Sequence, residues 1–263
     1  MKESLIQYTL HLADNALILG QRNSEWCGHG PVLEQDIAIT NISLDLIGQA
    51  RNFYQYAAEL INTFQQSGSK APSSPGEGVG GEVSEDSLAY LRTEREFKNC
   101  LLAEQPNGDW AQTILRQFLF SNYQYLLYQQ LQNSPDNPLA AIAEKSLKEV
   151  TYHLRWSSEW VIRLGDGTTE SHQRISKAVD ELWMYTGEFF IPASYEKETG
   201  IDTSTLKDPW LNKVKEIFDE ATLAVPSKTF MQEGGKQGKH TEQLGYILTE
   251  LQYLQRTYPG CEW

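Results

Sequence analysis

The chain is short of features that mark several large functional classes. Its three cysteines, Cys27, Cys100 and Cys261, are widely separated and in no CxxC or Cys/His cluster. That argues for reduced thiols, serving as small buried apolar side chains in a cytoplasmic protein. Positive charge is scarce, with 22 Lys and Arg against 35 Asp and Glu and a formal net charge of −13. Such a balance repels nucleic-acid phosphates and anionic lipid headgroups, and suits a basic protein partner better. No apolar run reaches the ~18 residues of a membrane span, and Glu3, His11, Asp14 and Asn15 interrupt any signal-peptide core. Runs of β-branched residues bounded by turn pairs are missing, as is any repeat of fixed period. The most informative gap lies between Glu104 and Glu144, which encloses no glutamate and no histidine although it contains a long helical pattern, WAQTILRQFLFSNYQYLLYQQL at 110 to 131.

What is present is helical periodicity almost everywhere, so the fold class expected is all-α. A first helix from about Ser4 to Gly20 carries Leu5, Ile6, Leu10, Leu12, Ala13, Ala16, Leu17 and Leu19 around more than half its circumference, which predicts cover on two sides. A second, from about Val32 to Phe64, carries the stripe Ile39, Ile42, Leu46, Ala50, Phe53, Ala57, Leu60, Phe64. SGSKAPSSPGEGVGGE, from Ser67 to Glu82, reads as a flexible surface loop over 67–83. Ser84 caps a helix ending near Gln105, and the glutamate-free helix follows with apolar residues on every side. Further helices are expected from Pro138 to Arg163, Ser171 to Phe190, Asp208 and Pro209 (as N-cap and N1) to Thr222, and Thr241 to Thr257 with Leu251 and Leu254 inward. The pattern fits one ferritin-like four-helix bundle over 1–263, with 171–263 as additional C-terminal helices.

Bundles of this kind often hold two metal ions, using inward carboxylates and Glu-x-x-His pairs from facing helices. Here the first helix offers only Asp14, outside its apolar arc, and the second offers Asp45 in Asp-x-x-Gly, ~120° from the centre of its stripe. The glutamate-free helix offers nothing between Asp109 and Asp136. Only Glu149 and His153, at i and i+4 where the motif needs i+3, form a suggestive pair, and a structural hydrogen-bonded pair is the expectation beside the rival of a degenerate metal site. GGKQGKHT at 234 to 241 fails P-loop spacing and reads as a flexible basic connector or a contact for an anionic group. His11, His29, His172 and His240 lack acid or nucleophile neighbours in sequence, and no GxSxG context supports a hydrolase. Of the seven Trp, thirteen Tyr and nine Phe, Tyr123, Tyr125, Tyr128, Trp26, Tyr258 and Trp263 are candidate interface anchors, with core packing the commoner fate. A self-associating storage or stress protein is a third reading.

LADNALILGQRNSEWCGHGPVLEQDIAITNISLDLIGQARNFYQYAAEL from Leu12 to Leu60, EQPNGDWAQTILRQF from Glu104, KEVTYHLRWSSEWVIRLGDGT from Lys148 and GGKQGKHTEQLGYILTELQYLQR from Gly234 together resemble the PaaC-type subunit family of bacterial phenylacetyl-CoA epoxidases, over nearly the whole chain. The resemblance implies a ferritin-like, non-catalytic subunit that pairs with a homologous catalytic subunit in which a di-iron centre sits. In that family the assembly uses O2 and reducing equivalents from NADPH, delivered by a separate reductase, to epoxidise the aromatic ring of phenylacetyl-CoA. It assigns this chain no catalytic, cofactor-binding or metal-binding residue, and Glu149 and His153 remain the alternative metal pair. Other subunits of the complex, and further copies of the chain, are the implied partners.

Overall fold

The computed structural model describes residues 2–66, 82–259 and 261. The expected loop at 67–83 therefore falls almost wholly outside the described residues. Among those residues every regular element is helical. Helix α1 (Lys2–Ser24) and α2 (Leu33–Gln66) are each somewhat longer than their periodicity suggests. The helix expected from Ser84 to Gln105 is broken into α3 (Glu85–Tyr90), a 3₁₀ turn at Glu94–Glu96, and α4 (Leu101–Glu104).

The break has a physical cause on α1. His11 Nδ1 lies 2.7 Å from the carbonyl of Lys98, Asp14 accepts from the Lys98 N–H, and Asn15 accepts from the Cys100 N–H. Side chains of α1 thus satisfy extended backbone that would otherwise need its own helix.

The glutamate-free helix is α5 (Trp110–Leu131), capped by Asp109, and α6 (Asn137–Gly165) is capped by Asp136 with proline in its first turn. Every residue from Thr113 to Gln124 is buried, which is why no amphipathic face can be read from it. Helix α7 (Thr169–Leu182) stops earlier than its pattern suggests and passes into 3₁₀ turns at Trp183–Tyr185 and Gly187–Phe190. After α8 (Ser194–Glu198), a 3₁₀ turn at Thr203–Leu206 runs directly into α9 (Lys207–Glu220), so Asp208 lies in the first turn and is not the N-cap. Thr241 caps α10 (Glu242–Leu251), a separate short α11 (Tyr253–Thr257) follows, and Leu254, expected inward, is 46% exposed.

Cross-helix contacts fix the topology. Trp156 and Trp160 both donate to Gln35 Oε1, His153 meets Asp45, Gln49 meets Glu149, and Tyr56 meets Asp136, so residue numbers rise along α2 as they fall along α6. Asn23 with Gln117 and Trp26 with Thr113 likewise make α1 and α5 antiparallel. Within the bundle α2 and α5 then run the same way, which demands the long crossover at 67–109 and gives the ferritin-like arrangement. Trp110 packs edge-on against Trp26, Trp156 and Trp160 at centroid distances of 5.1, 6.0 and 5.8 Å, tying together one end of the bundle.

Two glycines on the α1–α2 pair differ in kind. A Cβ at Gly20 would lie 3.2 Å from Leu46 Cβ and 3.3 Å from Ile47 Cγ1, so the helices approach closely there. Gly20→Val is expected to cost about 1–3 kcal/mol in urea denaturation through overpacking. At Gly48, midway along α2, an added Cβ meets nothing within 4 Å. A helix-interior glycine costs about 1 kcal/mol relative to alanine, and nothing among the described residues requires this one.

Candidate functional site

The pair singled out by spacing, Glu149 and His153, sits on α6 facing α2, but its two members bond to α2 and not to each other. His153 Nε2 is 2.9 Å from Asp45 Oδ2, and Gln49 donates to Glu149 at 2.9 Å. Asp45, placed away from the apolar stripe by periodicity, does flank the bundle and is joined to it by this contact. Behind them Tyr128 donates to Gln49 and accepts from Gln124, each at 3.4 Å. Burial pushes the Tyr128 phenol above its usual range. The His153 Nδ1 and Gln124 Oε1 atoms are buried without a protein partner, which fits small polar gaps able to take water.

A di-iron site needs anionic oxygens converging from opposing helices. The wall supplied by α5 buries Arg116, Gln117, Ser121, Asn122 and Gln124, none of them anionic. Arg116, fully buried and near Arg22, is pushed down to about 9, first by desolvation. Among the described residues no group of three or more His, Cys, Asp or Glu side chains is arranged to hold a metal. The donor set around Asp45, Glu149 and His153 does not fit two bridged cations.

The inward carboxylates that do exist escaped sequence reading, and each is held by donors of the protein itself. Asp14, expected outside the apolar arc, is wholly buried, paired with Arg92, and accepts from the Tyr54 hydroxyl and the Lys98 N–H. Burial, then Asp14, holds the Tyr54 phenol well above its ordinary range, so it stays a donor. Glu104 accepts from Asn99, from the N–H and hydroxyl of Thr241, and from His240 Nδ1 at 2.8 Å. The other ring nitrogen of His240 meets the Phe97 carbonyl at 2.9 Å. Both nitrogens face acceptors, which favours the doubly protonated ring; desolvation opposes the charge, but the hydrogen bond and charge of Glu104 outweigh it and raise the pKa.

GGKQGKHT is not a flexible connector. Gly235 and Lys236 are buried, and a Cβ on Gly235 would collide with the Asn99 carbonyl. Its backbone does cradle an anion, the chain's own Glu188, which accepts from the N–H groups of Gly234, Lys236 and Leu101. The Lys236 ammonium, 1% exposed, bonds Glu196 at 3.0 Å and the carbonyls of Phe189 and Ile191.

His11 Nε2 stands 3.9 Å from Glu196, close enough to suggest an ion pair. The hydrogen bonds point the other way. Asn15 Oδ1 accepts from Cys100 N–H, which turns its amide nitrogen toward His11 Nε2 at 3.1 Å, while Nδ1–H donates to Lys98. One nitrogen donates and one accepts, so the ring is neutral, and desolvation followed by Lys236 lowers its pKa to about 3. No spacing in the sequence announces Lys98 and Cys100 as partners of His11 and Asn15, since they lie 87 and 85 positions away; the only signal was polar residues interrupting an apolar helix.

The aromatic anchors divide. Tyr123 and Tyr128 are core, Tyr123 stacking on Phe189 at 4.5 Å, whereas Trp26 and Tyr125 are half-buried, Tyr258 is exposed and Trp263 lies outside the described residues. Of the cysteines only Cys100 is buried; Cys27 and Cys261 are exposed, against the expectation for all three. No described helix is long and apolar enough to cross a membrane.

A family model described as phenylacetic acid catabolic protein matches residues 1–263. The chain is also similar to a curated protein of Escherichia coli (strain K12), the C-type subunit of 1,2-phenylacetyl-CoA epoxidase, at 46% identity over 264 residues, covering 98% of this chain and 99% of that one.

Proposed function

Because the chain belongs to the phenylacetic acid catabolic protein family, we propose that it is a structural, non-catalytic subunit of a multicomponent phenylacetyl-CoA epoxidase. In this reading it works in the cytoplasm and pairs with a homologous subunit that holds the di-iron centre. The observation that carries the reading is that Asp14, Glu104, Glu188 and Glu196 are each engaged by an internal cation or backbone N–H, while α5 presents no anion. Oxygen activation then falls to the partner, and electrons from NADPH reach it through a reductase. This chain contributes rigidity: a polar network that fixes α1, the crossover and the C-terminal segment relative to one another, and a surface for association.

The test is reconstitution with and without the chain. Epoxidation of phenylacetyl-CoA is expected to require it, while Glu149→Gln and His153→Gln together leave turnover within about twofold and assembly unchanged. Full turnover by the catalytic subunit and reductase alone would overturn the structural role. Loss of turnover in an intact complex carrying the double variant would support the rival reading, a degenerate metal site at Glu149 and His153.

A further inference from the structure

Helix α9 rests on α5 and α6 with a cleft between the three. Trp210 clips the start of α9 to α5, donating its indole N–H to the Leu119 carbonyl and accepting at its own carbonyl from Asn122. Beside that clip lies a space of about 480 Å³, floored by Leu126, Leu154, Ile162 and Ile217. Small organic molecules bind in spaces of this order, where apolar walls carry a few placed polar groups.

The polar groups say which kind of molecule. Asn122 is buried and lines the cleft; its amide nitrogen is committed to Trp210, and its oxygen accepts from no described residue. A buried acceptor lining a cleft calls for a hydrogen-bond donor on whatever enters. The charged lining is Arg155 and Lys213 against Glu159, one positive charge in excess on a chain of formal net charge −13. Glu159 shares its charge with Arg163 at 3.9 Å, and Lys213 is paired with Glu216 at 2.7 Å. Arg155 is exposed and has no carboxylate partner among the described residues, its guanidinium carbon standing 5.9 Å from the centre of the Tyr152 ring. A guanidinium beside an apolar cleft selects a planar anion that it can bind through two N–H groups. One excess positive charge matches a carboxylate better than a phosphate monoester, which carries about −1.5 to −2.

We propose that the cleft between α5, α6 and α9 binds a small amphipathic carboxylate, an apolar body with a hydrogen-bond donor to Asn122 and its carboxylate on Arg155. Calorimetric titration of the full-length chain with 6-hydroxy-2-naphthoate tests this. One site with a dissociation constant of about 0.05–1 mM is expected. 2-Naphthoate, which lacks the donor, should bind about two- to tenfold more weakly. 2-Naphthol, which lacks the carboxylate, and 2-naphthyl phosphate should each bind at least about fivefold more weakly. Arg155→Gln should weaken 6-hydroxy-2-naphthoate about three- to tenfold and leave 2-naphthol unchanged. Thr151→Trp, at the exposed edge of the cleft, should block all four probes, with circular dichroism unaltered in both variants. No saturable binding up to about 10 mM would overturn the proposal. So would tighter binding of the phosphate, equal binding of 2-naphthol or 2-naphthoate, or indifference to both substitutions. Failure to bind any probe, combined with loss of co-purification in Thr151→Trp, would give the cleft to a side chain of another subunit instead. The inference does not rest on the structural-subunit reading, and none of its readouts involves epoxidation, so either can fail alone.

Discussion

Arg92→Ala is expected to destabilise the folded chain by about 3–5 kcal/mol, read as a lower midpoint in urea at constant slope. Both members of the Asp14–Arg92 pair are fully buried. The guanidinium also donates to the Glu96 and Leu88 carbonyls and lies 4.2 Å from the centroid of Phe97. Truncation therefore leaves a dehydrated carboxylate with only Tyr54 and the Lys98 N–H, and strands two carbonyls as well. The loss exceeds the net value of the pair, because breaking a buried pair exposes the full desolvation penalty of the survivor. Adding Asp14→Asn should recover part of it, since the amide carries no charge, its one oxygen can still accept from the Lys98 N–H, and its NH2 can donate to the Tyr54 hydroxyl oxygen. A coupling of about 1–3 kcal/mol between the two substitutions is expected. A loss under about 1 kcal/mol for Arg92→Ala alone would mean that water reaches Asp14 and that the network does not fix the crossover to α1.

That crossover is also where the sequence misleads most. The long helices are legible because their apolar residues repeat at helical spacing, and the stripe Ile39, Ile42, Leu46, Ala50, Phe53, Ala57 is buried as its period implies. Asp14 looks external because periodicity counts a carboxylate as a solvent-facing residue. Nothing local says that Arg92, 78 positions away, will neutralise it. The same holds for Glu104 with His240 and Glu196 with Lys236, whose separations of 136 and 40 positions put the partners on different elements. Helix breaks at 91–100 are hidden for a related reason: the backbone there is satisfied by α1 side chains, so its cap and turn signals are weak. The candidate site was half legible. Glu149 and His153 were rightly placed at the edge of the apolar face of α6, but their partners Asp45 and Gln49 depended on how α2 is rotated, which Trp156, Trp160 and Gln35 decide in three dimensions.

Two histidines, His11 and His240, should tilt stability in opposite directions with pH. His11 is neutral in the fold, with a pKa near 3, whereas an unfolded histidine takes a proton near 6.5. Its contribution is complete above about pH 6.5 and is lost as pH falls toward 3, at up to about 1.4 kcal/mol per unit, because the unfolded chain binds the extra proton. The neutral ring is enforced by Lys98 and Asn15, while Lys236 nearby opposes a second positive charge more strongly than Glu196 at 3.9 Å favours one. His240 behaves in reverse. Its pKa is raised in the fold, so its contribution is complete below about pH 6.5 and disappears as pH rises through the folded value. Unfolding free energies from urea titrations between pH 4 and 9 should therefore show His11→Gln flatter than the parent chain on the acid side. His240→Gln should be flatter only above about pH 6.5, where the parent chain loses the contribution. Other carboxylates titrate in the acid range too, so the decisive quantity is the difference between parent and variant slopes. Identical acid slopes for the parent and His11→Gln would show that His11 is already charged in the fold, and that Glu196, not Asn15, is its working partner.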